Sequence, residues 1–226
     1  MTTYGNPSRI SVDVEGGGIG ALSLDTTQKA VLFGAGDPSS GSAQTNDPTQ
    51  VSGPGELEST FGADTDLAEL FRGAAANGVA YSMMYGVMPA KQSVTAEAIA
   101  GGSGELGNAP IIEDIAEITV QNTTAGQEAT AVWRYESPPQ TGDLADDEVA
   151  VNPFTGEFET GDTDDYEVDY KYYQWQDAFD AASGVIQEQE EGLWYVRSEA
   201  EAVISDAIAT AVPLRENQWK MVRVAG

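Results

Sequence analysis

The side chains able to do chemistry in this chain of 226 residues are almost all carboxylates: 37 Asp and Glu against 10 Lys and Arg, with no Cys and no His. Lacking both, the chain has no thiolate catalysis, disulfides, Cys/His zinc sites, Ser-His-Asp triads or the commonest general base. Oxygen chemistry remains. Carboxylates can work in pairs, as in glycoside hydrolysis, or gather around a hard cation such as Ca²⁺ or Mg²⁺. Acids cluster at Asp143, Asp146, Asp147 and Glu148, and again at Asp162, Asp164, Asp165, Glu167 and Asp169. The run Gly161-Asp162-Thr163-Asp164-Asp165 holds part of a calcium-loop pattern, but its glycine and terminal Glu miss EF-hand spacing. No two acids are marked as a pair. A solvated acidic surface explains the clusters, so the expectation is no catalytic residue, no cofactor and no metal ligand.

Two glycine stretches are candidates for a phosphate cradle. Gly16-Gly17-Gly18-Ile19-Gly20 lacks the helix that the dinucleotide fingerprint needs, and no Lys-Ser/Thr closes a P-loop. Gly34-Ala35-Gly36-Asp37 follows an apolar run, as a nucleotide loop does, but runs into Pro38 and a polar loop. Asn122-Thr123-Thr124 is a glycosylation sequon, uninformative without a sign of export. Met83, Met84 and Met88, with Tyr81 and Tyr85, read as core and interface filler rather than a cofactor box.

The formal charge of −27 argues against nucleic acid or an anionic membrane as partner, since either calls for a basic patch. Such acidity fits a disordered acidic tail or a protein adapted to molar salt, where the Debye length falls to about 3 Å. The acids are spread through segments with folded texture, and only four residues are Lys, which favours salt adaptation. Below molar salt, self-repulsion is then expected to loosen the fold. No run approaches a membrane span, and the N-terminus lacks the layout of a signal peptide. The chain is therefore expected to be made in the cytoplasm and to stay soluble there.

The elements follow from periodicity. Residues 1–23 carry an alternating run, Arg9-Ile10-Ser11-Val12-Asp13-Val14-Glu15, then the Gly16–Gly20 hinge. The alternation predicts a strand with Ile10, Val12 and Val14 on one face, pairing with its own sheet or with a neighbouring molecule's edge. Residues 24–104 begin an α/β core. Ala30–Phe33 is a strand, Pro54–Phe61 a short helix, Asp64–Asn77 an amphipathic helix ended by Gly78, and Val79–Val87 a second strand. The two strands should lie side by side. Residues 90–110 read as loop. Residues 105–170 read as a β-rich acidic insertion, with strands at Ile115–Val120 and Ala129–Tyr135 and a hairpin around Thr155-Gly156. Residues 171–226 return to the core: a helix over Tyr172–Gln189, a strand at Leu193–Arg197, a helix from a Ser198/Glu201 capping box to Pro213, and a strand at Trp219–Val224. The expected fold class is α/β (α+β), a mixed-sheet core flanked by helices with a β-rich inserted subdomain and an extended N-terminal arm.

The first 90 residues resemble the N-terminal half of tail sheath proteins from contractile-tailed viruses and related injection machines. The shared pattern is an extended arm (Ile10–Glu15), an apolar strand ending in a Gly-rich turn (Ala30–Gly36), then Val51, Ser52, Glu56, Leu57, Phe61 and Gly62. It continues through Leu67, Ala68, Phe71, Asn77 and Gly78 to the strand of Ala80–Val87. The resemblance implies a homo-oligomer of stacked rings or a helical tube, located in a virion tail and assembled in the host cytoplasm. It also implies a tail tube protein and a baseplate as partners; the acidity points to a halophilic host. In that reading Arg9, Ile10, Val12 and Val14 form an exchanged strand, and Gly16, Gly17, Gly18 and Gly20 form its hinge. Family members usually continue into a C-terminal domain that contacts the tube, and this chain ends where that domain would start. The rival readings are another self-assembling virion or surface protein (tail tube, decoration, S-layer-like) and a halophilic carboxylate- or metal-dependent α/β enzyme.

Overall fold

Ala30, Val31, Leu32 and Phe33 are apolar on both parities and fully buried, as a strand covered on both faces requires. They form the centre of β1 (Gln28–Phe33) in a computed structural model that describes residues 28–187, 191–198, 200–218 and 221–225. The expected arm and hinge, Arg9, Ile10, Val12, Val14, Gly16, Gly17, Gly18 and Gly20, lie outside the described residues.

After β1 come β2 (Thr49–Gln50), α1 (Pro54–Phe61), α2 (Asp66–Ala76) and β3 (Met84–Val87). Next are β4 (Ala90–Ile99), β5 (Ser103–Glu105), β6 (Ile118–Asn122), β7 (Gln127–Trp133), β8 (Glu148–Val151), β9 (Glu157–Glu159) and β10 (Tyr166–Gln174). The chain continues through α3 (Trp175–Gln187), β11 (Glu191–Val196), α4 (Glu201–Gln218) and β12 (Met221–Ala225). Two compact units result. Of the described residues, one takes those up to Ala90 and most of those from Trp175 onward; the other takes Lys91–Gln174 with Ala200–Ala202.

The first unit is a five-stranded sheet in the order β12-β11-β1-β3-β2. Its first four strands are parallel, and β2 closes the far edge antiparallel to β3. Helices cover both faces. Ala30 and Leu32 join a cluster with Leu57 and Phe61 of α1 and Leu67 and Phe71 of α2. Phe33, on the opposite parity, meets Phe179 of α3 and Trp194 of β11 edge-on at 5.0 and 5.1 Å.

Helix α2 forms where its sequence says it should. Thr65 caps it, its Oγ1 accepting from the Ala68 N–H at 3.3 Å, and Asp66 and Glu69 place negative charge in the first turn. Leu67, Ala68, Leu70, Phe71 and Ala74 are buried at three- and four-residue spacing. Each large side chain among them contributes about 1.5–3 kcal/mol relative to exposure. Gly78, at φ +92°, turns the chain out of the helix.

The second unit is a seven-stranded sheet, β4-β10-β6-β7-β8-β9-β5. The pairs β10–β6, β6–β7, β8–β9 and β9–β5 are antiparallel, and β7–β8 is parallel. Strand β10 shows the logic: Tyr166, Val168 and Tyr170 are buried while Glu167 and Asp169 face water. The buried row packs with Ile118, Val120, Val149, Val151 and Phe158.

Several elements depart from the expectation. The expected loop at 90–110 contains β4 and β5. Strand β4 is largely exposed on both sides, so it has no alternation to read. Tyr172–Gln174 belong to β10, and the following helix starts at Trp175. Helix α4 begins at Glu201, three residues after the expected cap Ser198, and runs through Pro213 to Gln218. A proline inside a helix costs about 3 kcal/mol; burial of Val203, Ala207 and Ala211 on the preceding turns offsets that cost. The run before β3 is a 3-10 turn at Tyr81–Met83 rather than strand, and Ile115–Glu117 likewise precede β6 as a 3-10 turn.

Candidate functional site

In an open parallel sheet, ligands bind outside the carboxyl ends of the strands, where the strand order reverses. Here the chain goes from β1 to β3 on one side, then returns to β11 on the other, so the reversal lies between β1 and β11. Gly34-Ala35-Gly36-Asp37 leaves β1 at this point, Arg197 leaves β11, and α2 points its N-terminus here.

The protein's own groups occupy the position. The Arg197 N–H donates to the Phe33 carbonyl at 2.9 Å, and the Asp37 N–H to the Phe61 carbonyl at 3.0 Å. A Cβ on Gly36 would sit 1.9 Å from Met88 Sδ, and one on Gly34 would sit 3.1 Å from Asp66 Cβ. A side chain at Gly36 would have to displace buried Met88, which fills that space.

Anion binding at a helix start needs unused N–H groups. In α2, Leu67 donates to the Ala35 carbonyl at 3.1 Å, Ala68 to Thr65 Oγ1, and Glu69 to the Thr65 carbonyl at 3.0 Å. The surrounding charge is also of the wrong sign. Asp66 and Glu69 stand at the helix start, and Arg197 is bound to both, Nε to Asp66 Oδ1 and Nη2 to Glu69 Oε2, each at 3.2 Å. Asp37 is held by its own loop. The Ser39 hydroxyl, then the Ser40 hydroxyl and the Ser39 N–H, stabilise its carboxylate and bring its pKa down to about 2.

The acidic clusters of the second unit serve as turn fasteners. Asp162 Oδ1 accepts from the Asp164 N–H at 3.0 Å and the Thr160 hydroxyl at 3.1 Å, while Oδ2 accepts from the Tyr166 hydroxyl at 2.9 Å. The Asp164 N–H is the main reason the Asp162 carboxyl titrates below its ordinary value. Asp165 Oδ1 accepts from the Gly101 N–H at 3.0 Å. In the other cluster, Asp143 binds Arg134 at 2.8 Å and Glu148 accepts from the Ala145 N–H at 2.9 Å. Among the described residues, no group of three or more carboxylates gathers as a metal site. Asn122 of the sequon is buried, its Oδ1 accepting from the Ala125 N–H at 2.7 Å, so the folded chain does not present it for glycosylation. Met84 and Met88 are core, with Tyr81 and Met83 packed against them.

Sequence reasoning missed how the cations are used. Six basic side chains, Lys29, Arg72, Lys91, Arg134, Lys171 and Arg197, are each committed within their own unit. Arg72 binds Glu58, Arg134 binds Asp143, and Arg197 binds Asp66 and Glu69. Lys91 and Lys171 share Glu117. Lys29 donates to the Ser82 carbonyl at 3.0 Å and lies 5.8 Å over the Tyr85 ring. Partners as distant in sequence as Arg197 and Asp66 carry no local signal. Ile115 and Tyr135 are large hydrophobic side chains that stand exposed.

The fold is mixed α/β: two mixed sheets with four helices, in two units. No helix among the described residues is long and apolar enough to cross a membrane. Neither a protein-family model nor a curated protein sequence matches the chain.

Proposed function

We propose that this chain is a non-enzymatic structural subunit that assembles with copies of itself, acting as a subunit of a contractile tail sheath in a virus or injection device of a halophile. The observation that carries the non-catalytic part is the reversal point of the parallel sheet. There Met88, the Ala35 carbonyl and the Arg197–Asp66–Glu69 bridge stand where a substrate or cofactor would bind. The sheath part rests on the resemblance of residues 5–90, with its arm, Gly-rich turn and strand–helix–strand order. A tail tube and a baseplate are the partners this role requires. Contraction would slide and rotate subunits while the donated strands hold, with the Gly16–Gly20 hinge taking up the rotation.

Negative-stain microscopy of the purified protein in molar salt tests the reading. Striated tubes, some short and wide, are expected. Uniform single particles at all concentrations would favour the soluble-enzyme alternative, and tubes of one fixed length and width would favour a tail tube or surface-layer role. Removing residues 1–20 should leave a folded subunit that no longer forms tubes; ordinary tubes from that variant refute the arm.

A further inference from the structure

We propose that β4 is a releasable strap over the edge of β10, clasped shut by the carboxylates of Glu97 and Asp169. It opens as one piece while the rest of the second unit stays folded. The device belongs to the second unit alone and does not depend on whether copies of the chain assemble.

Packing holds β4 weakly. Of its ten residues Ile99 is the one that is buried, and Val94 is half-buried against the same cluster. The strand it covers is built differently: Tyr166, Val168 and Tyr170 of β10 are all buried. On its other side β4 ends the sheet, and among the described residues no strand pairs with it there. A segment with few buried apolar contacts and exposed backbone opens locally at low cost. The strand also carries strain. Ala96 sits at φ +53°, in the left-handed region that residues with a Cβ rarely adopt. Such a conformation persists only where its surroundings impose it.

Two carboxylates impose it here. Asp169 of β10 accepts the Ala96 N–H on Oδ1 at 2.6 Å. Glu97, the next residue, accepts the Gly107 N–H on Oε1 at 2.6 Å and the Tyr170 hydroxyl on Oε2 at 2.7 Å. That hydroxyl accepts in turn from the Asn108 N–H at 3.1 Å. Gly107 and Asn108 follow β5, which stands at the opposite end of the strand order from β4. Glu97 therefore ties the first strand of the order to the chain leaving the last by side-chain bonds in place of a ladder. Charge-assisted hydrogen bonds are roughly twice as strong as neutral ones, so a single substitution at Glu97 releases much of the fastening. Beyond the end of β4, Gly101 and Gly102 at φ +69° and +75° form the turn on which the strap swings, and Asp165 Oδ1 anchors that turn through the Gly101 N–H at 3.0 Å.

Native-state hydrogen exchange of the full-length protein in molar salt, followed by NMR across low urea concentrations, tests the strap. The protected amides of residues 92–99 should exchange as one group, about tenfold or more faster than those of Val149 and Val151 in β8 and with a weaker dependence on urea. Glu97→Ala should speed that group about tenfold further and leave β8 unmoved. None of the printed bonds of the Glu97 carboxylate goes to an amide of β4, so the effect on those amides reads the clasp and not a lost direct partner. Glu97→Gln, with one acceptor oxygen where the carboxylate has two, should have a smaller effect. Ala96→Gly relieves the strain and should slow the same amides about threefold. Exchange of β4 together with β8 overturns the proposal, because the strap then does not open by itself. Early opening that Glu97→Ala leaves unchanged overturns it as well, because Glu97 is then no clasp. Should Glu97→Ala fail to fold, Ala96→Gly decides: exchange as fast as in the unaltered chain, or faster, overturns the strained strap.

Discussion

Replacing Gly86 with Ala tests how tightly β3 is packed against α1 and α2. Gly86 lies in β3 against Phe61 and Phe71, whose fully buried rings stack at 5.3 Å between centroids and 27°. A Cβ there falls 2.5 Å from Phe61 Cζ, 2.8 Å from Phe71 Cε2 and 3.0 Å from Phe61 Cε1. Rings held on both sides cannot swing away as a lysine end would, so overpacking costs about 1–3 kcal/mol. Gly86 is not in the left-handed region, so the substitution also gains about 0.4–1 kcal/mol by restricting the unfolded chain. The net is a loss of up to about 2.6 kcal/mol, centred near 1.3, which at the centre is roughly 3–5 °C in Tm for a chain of this length. Thermal unfolding in molar salt, followed by circular dichroism, reads it. Gly55→Ala is the matched control: it lies in α1 with nothing within 4 Å of an added Cβ, and should gain up to about 1 kcal/mol. In a double-mutant cycle, Phe61→Leu should cost less in the Gly86→Ala background than alone, by about 0.5 kcal/mol or more. A Gly86→Ala protein that melts with or above Gly55→Ala would show that the rings have room and that this account of the packing fails.

Two further outcomes concern titration. Tyr166 and Tyr170 are pushed up to about 12, first by burial and then by the carboxylates of Asp162 and Glu97 that accept their hydroxyls. Folded values above the unfolded value of 10 mean that the stability they supply is intact below pH 10 and is lost as pH climbs through 12. Phenolate absorbance should show a late step, reduced by Tyr170→Phe; simultaneous titration of all tyrosines in the folded protein would contradict the structure. Glu117 is held below its ordinary carboxyl value by Lys171 first and Lys91 second. Its contribution is therefore present above about pH 4.5 and disappears as pH falls below that. Glu117→Gln should lose about 0.5–1 kcal/mol at pH 7 in low salt and less in molar salt, with a flatter acid limb in equilibrium unfolding. An unchanged acid limb would remove the Lys91–Glu117–Lys171 bridge from the account.

Legibility followed locality. Helix α2 could be read because cap, stripe and terminating glycine all lie within fifteen residues, and β1 because a strand buried on both faces is a continuous apolar run. Strand β4 could not, since its partner β10 lies about seventy residues on and its own side chains show no face. Pro213 read as a stop, yet buried contacts upstream carried the helix past it. The alternation of residues 9–15, read as an arm, lies outside the described residues.

Residue types alone set the available chemistry and the local periods: carboxylates without histidine or cysteine, a charge far from neutral, and the repeats of the main elements. Which partners those carboxylates take follows from the three-dimensional fold. A salt bridge from Arg197 to Asp66, or a methionine seated on Gly36, depends on chain segments made adjacent by strand order, and strand order is fixed by long-range pairing that leaves no mark in a short window of sequence.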